Sequence, residues 1–414
     1  MKKVVAIVLF ILTISGTGVF AQPAELPYVI LVSFDGFRHD YTKLFDAKNF
    51  KNFAAEGAQA DGLIPSFPSK TFPNHYTLVT GLYPGKHGLV DNSFYDPDRN
   101  QFYGMKQKDR VRDPYYYGGV PIWELAKKSN IKSASFFWVG SELPKDERRP
   151  DYYFPYDESV ADTLRVDQVI SWLGLPPEQR PHIITLYFSS PDHESHLYGP
   201  ESEEARLAVM NADALLARLM TGVKKSGLPI NVMLVSDHGM LALKQQPETY
   251  IFLDEILKVD NPSIKISNGG TQAHIYVNSE KQRDSLYSVL KNKAKKFSVY
   301  KQEEFPVHWH YNAVRSGDLL ITAHPGFYIQ DRDRANFQAK KKQGPLFGAH
   351  GYDAALVPQM RGIFFAQGPN IRSGIKIPAF ENVHIYPLMA KILRLTVPEE
   401  IDGRFEVLEK IYME

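Results

Sequence analysis

Residues 28–36 read YVILVSFDG, an apolar run rich in β-branched side chains that ends in Asp35 and Gly36. Runs of this kind are typical of strands that are buried on both faces of a sheet. The pattern recurs at residues 182–189 (HIITLYFS) and at residues 231–236 (NVMLVS). Each run is followed within a few positions by an acidic residue, so the sequence predicts three buried strands with polar carboxyl ends.

Segments with helical spacing separate these strands. The clearest covers residues 201–225, where leucines recur at intervals of three to four positions. Alternating strands and helices predict an α/β fold, with a mostly parallel central sheet flanked by helices on both faces. Residues 251–342 differ, with a short strand, a lysine-rich helix and a charged run, and they predict a small inserted cap subdomain. A final helix over residues 382–395 and a closing segment over 401–411 complete the predicted order.

The amino terminus has the pattern of a secretory signal peptide. Lys2 and Lys3 precede a short apolar run, and small residues stand at the −3 and −1 positions of a cleavage site after Ala21. The apolar run is shorter than the roughly 20 residues that a spanning helix needs, although an uncleaved anchor is the alternative. The sequence therefore predicts a signal peptide at 1–21, an exported protein that is periplasmic or secreted, and one catalytic domain at 22–414.

Composition narrows the classes of function. The chain has 414 residues, a net charge of +1 and no cysteine. A charge near zero offers no basic surface for duplex nucleic acid, and it says nothing of oligomeric state. Without cysteine there are no disulfides, and any metal ligands must be His, Asp or Glu.

Six residues of these types are candidate ligands, and three of them follow the predicted strands directly. They are Asp35, Asp192, His196, Asp237, His238 and His350. Taken singly, each has an ordinary alternative as a turn residue, a helix cap or a solvated surface group. Taken together, they supply two three-residue sites at one sheet edge, and two ions about 4 Å apart would suit phosphoryl transfer. The other histidines are assigned structural roles, among them His39, His75, His193, His274, His310 and His324.

A hydroxyl stands near a predicted helix start in residues 68–92, PSKTFPNHYTLVTGLYPGKHGLVDN. Thr71 precedes Phe72, Pro73 and an apolar helix. Backbone N–H groups at a helix start favour an anionic phosphoryl group. A threonine hydroxyl becomes a nucleophile only when a base or metal removes its proton. Thr71 as a simple helix cap is the alternative.

These motifs, with VSFDGFRHD, PDHESHLYGP, SDHGM and GAHGYD, closely resemble the nucleotide pyrophosphatase/phosphodiesterase family of the alkaline phosphatase superfamily. The resemblance covers nearly all of the mature chain and implies an alkaline phosphatase-like fold with two zinc ions. It implies one ion on Asp192, His196 and His350, and the other on Asp35, Asp237 and His238, with Thr71 as the nucleophile on the latter. It further implies that Asn92 holds a phosphoryl oxygen. The residues that would contact a substrate are Phe72 and Tyr156, as a nucleobase sandwich, with Tyr187 and the 136–141 segment that contains Trp138.

The resemblance leaves the substrate class open. Phe72 and Tyr156 favour a small-molecule nucleotide diester or pyrophosphate, because stacking a base between rings contributes roughly 1–3 kcal/mol. A choline or lysophospholipid phosphodiesterase with the same metal site is the main alternative, and Glu142 near Trp138 keeps it open. A sulfatase is disfavoured because no Cys is present, and a phosphomonoesterase because no extra Arg is evident. A binding protein without catalysis would be expected to lack a ligand or the threonine.

Overall fold

The structure is a computed structural model that describes residues 26–331 and 345–414. The predicted signal peptide lies outside the described residues. The strands in the described part are β1 (Tyr28–Phe34), β2 (Ala58–Ala60), β3 (Leu63–Ile64), β4 (Ser93–Asp96), β5 (Gln101–Gly104), β6 (Ser133–Phe136), β7 (Tyr152–Phe154), β8 (Ile183–Phe188), β9 (Ile230–Val235), β10 (Leu241–Lys244), β11 (Tyr250–Phe252), β12 (Ile264–Asn268), β13 (Gln272–Val277), β14 (Phe297–Lys301), β15 (Leu319–Ala323), β16 (Tyr328–Gln330), β17 (Leu346–Ala349), β18 (Phe364–Gln367), β19 (Ile375–Ile377) and β20 (Phe380–Glu381). The α-helices are α1 (Tyr41–Leu44), α2 (Lys48–Glu56), α3 (Thr71–Thr80), α4 (Pro84–His87), α5 (Lys108–Val111), α6 (Ile122–Lys128), α7 (Asp162–Leu173), α8 (Asp192–Tyr198), α9 (Glu203–Ser226), α10 (Leu253–Ile256), α11 (Glu280–Lys293) and α12 (Ile385–Ile392).

The central sheet has eight strands in the order β19-β2-β18-β9-β1-β8-β6-β7. Strand β1 lies between β8 and β9 and is parallel to both. Only β18 runs against its neighbours β9 and β2. The prediction of a mostly parallel sheet is therefore confirmed, and the three strands predicted from their apolar runs are its adjacent central members.

Both faces of this sheet are covered. Alternate residues of β1 point to opposite sides, so Val29 and Leu31 join one apolar core while Ile30 and Val32 join the other. Helices α3, α6 and α12 supply side chains to the first core. Helices α2, α7 and α9 supply them to the second. This double burial explains why the central strands have so few polar positions.

A second sheet is antiparallel, with strands in the order β12-β13-β15-β14. Helix α11 packs against it and contributes Leu290 to a third apolar core. This sheet lies inside the range 251–342. The boundaries of the cap stay a prediction, because that range includes residues 332–344, which the structure does not describe.

The predicted carboxyl-terminal helix over 382–395 is shorter in the structure. Helix α12 covers Ile385–Ile392, and a 3-10 turn at Asn382–His384 precedes it. The closing segment at 401–411 has 3-10 turns rather than a strand or an α-helix. Among the described residues, no helix combines the length and the apolar character that crossing a membrane requires.

Candidate active site

Three neighbouring strands deliver acidic residues to one edge of the sheet. Parallel strands have their carboxyl ends on the same side, so the residues after β1, β8 and β9 converge there. The pairing places Phe34 opposite Phe188, and the N–H of Asp192 donates to the carbonyl of Asp35 at 3.0 Å. The turn is close, because a Cβ on Gly36 would lie 2.8 Å from the Cβ of Asp192. Glycine is therefore required between the two carboxylates.

The six candidate ligands form two groups. Asp192, His196 and His350 make one group, in which ligand atoms all lie within 4.8 Å of one another. Asp35, Asp237 and His238 make the other by the same measure. The groups adjoin, since the rings of His238 and His350 stack with centroids 3.6 Å apart.

Each of the three histidines in these groups is held by a backbone carbonyl at Nδ1. The acceptors are Gly348 for His196 at 2.8 Å, Gly239 for His238 at 2.9 Å and Ser69 for His350 at 2.8 Å. A carbonyl only accepts, so Nδ1 carries the hydrogen and the neutral ring presents a lone pair at Nε2. The Nε2 atoms of His196 and His350 lie 3.0 Å apart with no hydrogen to share. Two facing lone pairs at that distance favour a cation.

The carboxylates of the two groups also indicate that cations bind there. Buried oxygens without a hydrogen-bond partner are found on each acid: Oδ1 of Asp35, Oδ1 of Asp192 and Oδ2 of Asp237. Burial raises the pKa of Asp35 and of Asp237 well above the usual range, and neighbouring carboxylates add to the shift. The buried carboxylates of Asp35 and Asp237, with the half-buried Asp192 beside them, do not all ionise without positive charge close by. The residues present therefore fit metal cations at both groups.

Thr71 lies beside the second group. It is the first residue of α3, and the extended Lys70 occupies the cap position, so the alternative of Thr71 as helix cap is wrong. The Thr71 Oγ1 lies 3.4 Å from Nε2 of His238. The side-chain amide of Asn74 fixes the preceding loop by donating to the carbonyls of Pro68 and Lys70. The hydroxyl is thus held at a helix start against a candidate metal ligand.

Asn92 lies across the helix start from Thr71. Its Oδ1 accepts the backbone N–H of Phe72 at 2.8 Å. This bond orients the amide, and Nδ2 has no hydrogen-bond partner within the described residues. Asn92 thus offers a free side-chain N–H donor next to the start of α3, and its contact with a phosphoryl oxygen stays a prediction.

The four aromatic residues predicted to contact substrate differ in how far they are exposed to solvent. Tyr156 is 43% exposed, and its ring centroid lies 6.2 Å from that of Tyr187. Phe72 is partly buried at the start of α3. Tyr187 donates its hydroxyl to Oδ2 of Asp35 at 2.7 Å, which leaves Oδ1 for a metal. Trp138 is only 2% exposed, so it lies beneath the site, and direct contact with substrate stays a prediction that its burial disfavours.

Residues 29–353 match the sequence model of the family described as "Type I phosphodiesterase / nucleotide pyrophosphatase". The chain belongs to this family. The resemblance found in the sequence motifs is therefore confirmed.

Relatives with similar sequences come from animals and from a fungus. The chain is 33% identical over 386 residues to human ectonucleotide pyrophosphatase/phosphodiesterase family member 1, matching 90% of this chain and 40% of that protein. It is 33% identical to the venom phosphodiesterase CdcPDE of Crotalus durissus collilineatus, over 91% of this chain and 45% of the venom protein. An uncharacterized pyrophosphatase/phosphodiesterase of Schizosaccharomyces pombe is 32% identical, with 92% and 79% covered. The chain thus spans less than half the length of the human and venom relatives.

Solved structures of the family superimpose closely. Murine ectonucleotide pyrophosphatase/phosphodiesterase 5, as an inactive variant in complex with AMP, has a TM-score of 0.84 and 30% identity. The match covers 94% of this chain and all of that one. The human protein of the same name gives the same TM-score. The α/β fold prediction is confirmed by these neighbours.

Several supporting residues have no signal in the sequence. Lys70 is buried, and its Nζ donates to the carbonyls of Gly269 at 2.6 Å and His350 at 3.2 Å. His75 is buried too, and its Nδ1 lies 2.9 Å from the carbonyl of Thr71. Both residues hold the backbone on either side of Thr71. Their partners lie far away in sequence or on the same helix, so spacing alone could not separate them from ordinary core residues.

His274 also has a larger role than its structural assignment. It belongs to β13 of the second sheet and is fully buried. Its Nε2 lies 3.1 Å from Oδ2 of Asp91, whose Oδ1 accepts the N–H of Asn92 at 2.6 Å. The other ring nitrogen lies 3.1 Å from the carbonyl of Ser316. The second sheet therefore reaches the active site through His274 and Asp91. The remaining histidines assigned structural roles, His39, His193, His310 and His324, lie outside both ligand groups.

Proposed function

We propose that this chain is an exported two-zinc phosphodiesterase that hydrolyses nucleotide phosphodiester or pyrophosphate bonds and releases nucleoside monophosphate. The observation that carries the proposal is the Thr71 hydroxyl, 3.4 Å from His238 Nε2, beside two adjoining groups of carboxylates and lone-pair imidazoles. Family membership supports the reaction class.

Zinc is proposed because the donors are neutral imidazoles and carboxylates, three to each group, with no cysteine in the chain. Asp192, His196 and His350 would hold one ion, and Asp35, Asp237 and His238 would hold the other. When bound, zinc supplies Lewis-acid stabilisation of the attacking and leaving oxygens.

The chain's own residues then perform two displacements. Thr71 Oγ gives up its proton to solvent and attacks phosphorus, and the bond from phosphorus to the leaving oxygen breaks with its electron pair on that oxygen. The Nδ2 of Asn92 and the N–H groups at the start of α3 donate to a non-bridging oxygen, where charge develops. Water then attacks the phosphothreonine diester, the bond from phosphorus to Oγ breaks, and the nucleoside monophosphate leaves.

Two observations favour a nucleotide over a choline or lysophospholipid substrate. The exposed ring of Tyr156 and the partly buried ring of Phe72 are available for stacking. Glu142, the acid proposed for a choline cage, has both oxygens occupied: Arg112 Nε donates to one at 2.9 Å and the N–H of Tyr156 to the other at 3.2 Å. A paired carboxylate attracts a trimethylammonium group weakly, so Glu142 is better explained as a support for Tyr156. The murine neighbour was solved with AMP.

The experiment that tests this function compares three chromogenic diesters with zinc-loaded mature protein. These are p-nitrophenyl thymidine 5′-monophosphate, bis-p-nitrophenyl phosphate and p-nitrophenyl phosphorylcholine. We expect the highest kcat/KM for the nucleoside ester. A preference for the choline ester would favour the choline or lysophospholipid phosphodiesterase instead. The absence of turnover with all three esters would contradict the proposed phosphodiesterase activity.

Phe72→Ala should raise KM for p-nitrophenyl thymidine 5′-monophosphate about tenfold, because the base loses one stacking partner worth roughly 1–3 kcal/mol. KM for bis-p-nitrophenyl phosphate should change much less. Steady-state kinetics on both esters measure this. Phe102→Ala, at an exposed phenylalanine on β5, is the matched control and should leave both values unchanged. Equal increases for the two esters would remove the stacking argument.

Asp91→Ala should lower kcat about tenfold to a hundredfold, because Asn92 would lose the carboxylate that fixes its backbone N–H. The effect on KM should be smaller, and bound metal should be unchanged, since Asp91 belongs to neither ligand group. Kinetics and metal analysis on the same preparation test both points. Asp98→Ala, at an exposed carboxylate in the same hairpin, is the control. A wild-type kcat in a folded Asp91→Ala protein would show that Asn92 needs no such support.

The cap subdomain at 251–342 is proposed as the part that carries His274 and Gly269 to the site.

Export is proposed from the signal peptide at residues 1–21. Expression in a secreting bacterial host should give a protein whose first residue is Gln22. Amino-terminal sequencing of the exported fraction would establish this, and retention of Met1 on exported protein would contradict cleavage after Ala21.

A further inference from the structure

A cavity of about 490 Å³ lies apart from the metal-binding groups. None of the six candidate ligands lines it, and neither does Thr71. Its volume falls within the range of about 300–1,000 Å³ that small-molecule sites occupy. The proposed reaction makes no use of this cavity or of the residues that line it.

Arg361 lines the cavity without a partner for its charge. Its Nε is buried and has no hydrogen-bond partner. Within the described residues, no carboxylate forms an ion pair with its guanidinium. A buried N–H without an acceptor is costly, and an incoming anion would supply an acceptor for Nε.

The two acids that line the same cavity are already engaged. Asp353 accepts from His308 Nε2 at 2.9 Å and from Trp309 Nε1 at 2.8 Å. Glu381 lies beside the hydroxyl of Tyr83. Neither acid forms an ion pair with Arg361 in the part of the chain that the structure describes, so the Nε of Arg361 still lacks an acceptor.

His384 adds a second unpartnered donor to the lining. It is 6% exposed, and its Nδ1 accepts the backbone N–H of Arg404 at 3.0 Å. Burial lowers the pKa of His384 to about 4, so at neutral pH the ring carries its one hydrogen on Nε2. No hydrogen-bond partner for this Nε2 is found in residues 26–331 and 345–414. The cavity thus offers an N–H donor as well as a cation.

The rest of the wall is largely apolar and aromatic. Phe67 and Trp309 stack with centroids 3.8 Å apart, and Phe380 completes the aromatic lining. We propose that this cavity is a second ligand site, which takes a small organic anion with a flat apolar body. The anionic group, a carboxylate, sulfonate or phosphate, pairs with Arg361 and accepts from His384, while the apolar body lies against the aromatic side chains.

The probe for this site is 8-anilinonaphthalene-1-sulfonate, which joins a sulfonate to flat rings and fluoresces in apolar surroundings. We expect saturable binding of one probe per chain to the folded, zinc-loaded protein. Arg361→Gln should raise the probe's Kd at least about tenfold, because a charge-assisted contact is lost. His384→Phe, which keeps the ring and removes the donor, should raise it several-fold. Arg206→Gln is the matched control, at an exposed arginine of α9 that pairs with Glu203, and should leave Kd unchanged.

Competition separates this site from the active site. Saturating AMP should not displace the probe, while 1-naphthoate should displace it and the neutral 1-naphthalenemethanol should not. Arg361→Lys keeps the charge without the planar fork and should give an intermediate Kd, which guards against misfolding of Arg361→Gln. The proposal is overturned if AMP competes with the probe, if no saturable binding occurs, or if Kd is the same in wild type, Arg361→Gln and His384→Phe.

Discussion

Thr71→Ala should lower kcat for p-nitrophenyl thymidine 5′-monophosphate by at least about 10⁴-fold, because the variant has no hydroxyl to attack phosphorus. Its metal content should match that of the wild type. The three acidic and histidine ligands beside Thr71 keep their supports, among them the Nδ1 bond of His238 and the Tyr187 bond to Asp35. Turnover and elemental analysis on one preparation measure both quantities.

Two further variants separate the nucleophile from its helix. Thr80→Ala removes another threonine hydroxyl of α3, which donates to the carbonyl of Tyr76, and should keep a near wild-type rate. Thr71→Ser restores a hydroxyl and should recover part of the lost activity. If Thr71→Ala turns over substrate normally, the nucleophile has been assigned to the wrong residue.

Removal of metal should also cause a large loss of activity, and it should weaken the fold. Chelation leaves the buried carboxylates of Asp35 and Asp237, and the buried Oδ1 of Asp192, without a bound cation, with the facing Nε2 atoms of His196 and His350 beside them. We expect turnover to fall at least about 10³-fold and the Tm to fall by roughly 5 °C or more, since a ligand that binds only the native state stabilises it. Adding zinc back should restore both.

Differential scanning fluorimetry and turnover on chelated, reloaded and untreated protein test this expectation. A magnesium add-back controls for ionic strength and for unselective divalent binding. Full activity in protein shown to be free of metal would contradict the proposed role of both ligand groups.

The sequence predicted the centre of the fold well because the signal there is local. Strand β1 covers the apolar run from Tyr28 to Phe34, and β8 and β9 differ from the predicted ranges by one residue at each end. Strands buried on both faces need unbroken apolar runs, and chain direction then places their polar ends together. The six candidate ligands, which the structure brings together in two groups, could therefore be named before any contact was known.

Other features depend on contacts between distant parts of the chain. His274 reaches Asp91 from 183 positions away, so its spacing carries no trace of that contact. The antiparallel pairing of β18 with β9 also joins distant parts of the chain, so local sequence patterns do not predict it. Trp138 is buried under the site, where its Nε1 donates to the carbonyl of His75. This contact too depends on the tertiary fold and leaves no local pattern in the sequence. Residue type identifies chemistry, but the supports around it are set by the tertiary fold.

The most direct test of the central claim is the stereochemistry at phosphorus. A p-nitrophenyl thymidine phosphorothioate of known configuration would be hydrolysed in ¹⁸O-water, and the configuration of the product would be determined. Attack by Thr71 followed by attack of water makes two in-line displacements, so we predict overall retention. Overall inversion would mean that water attacks the substrate directly and that Thr71 never forms a bond to phosphorus.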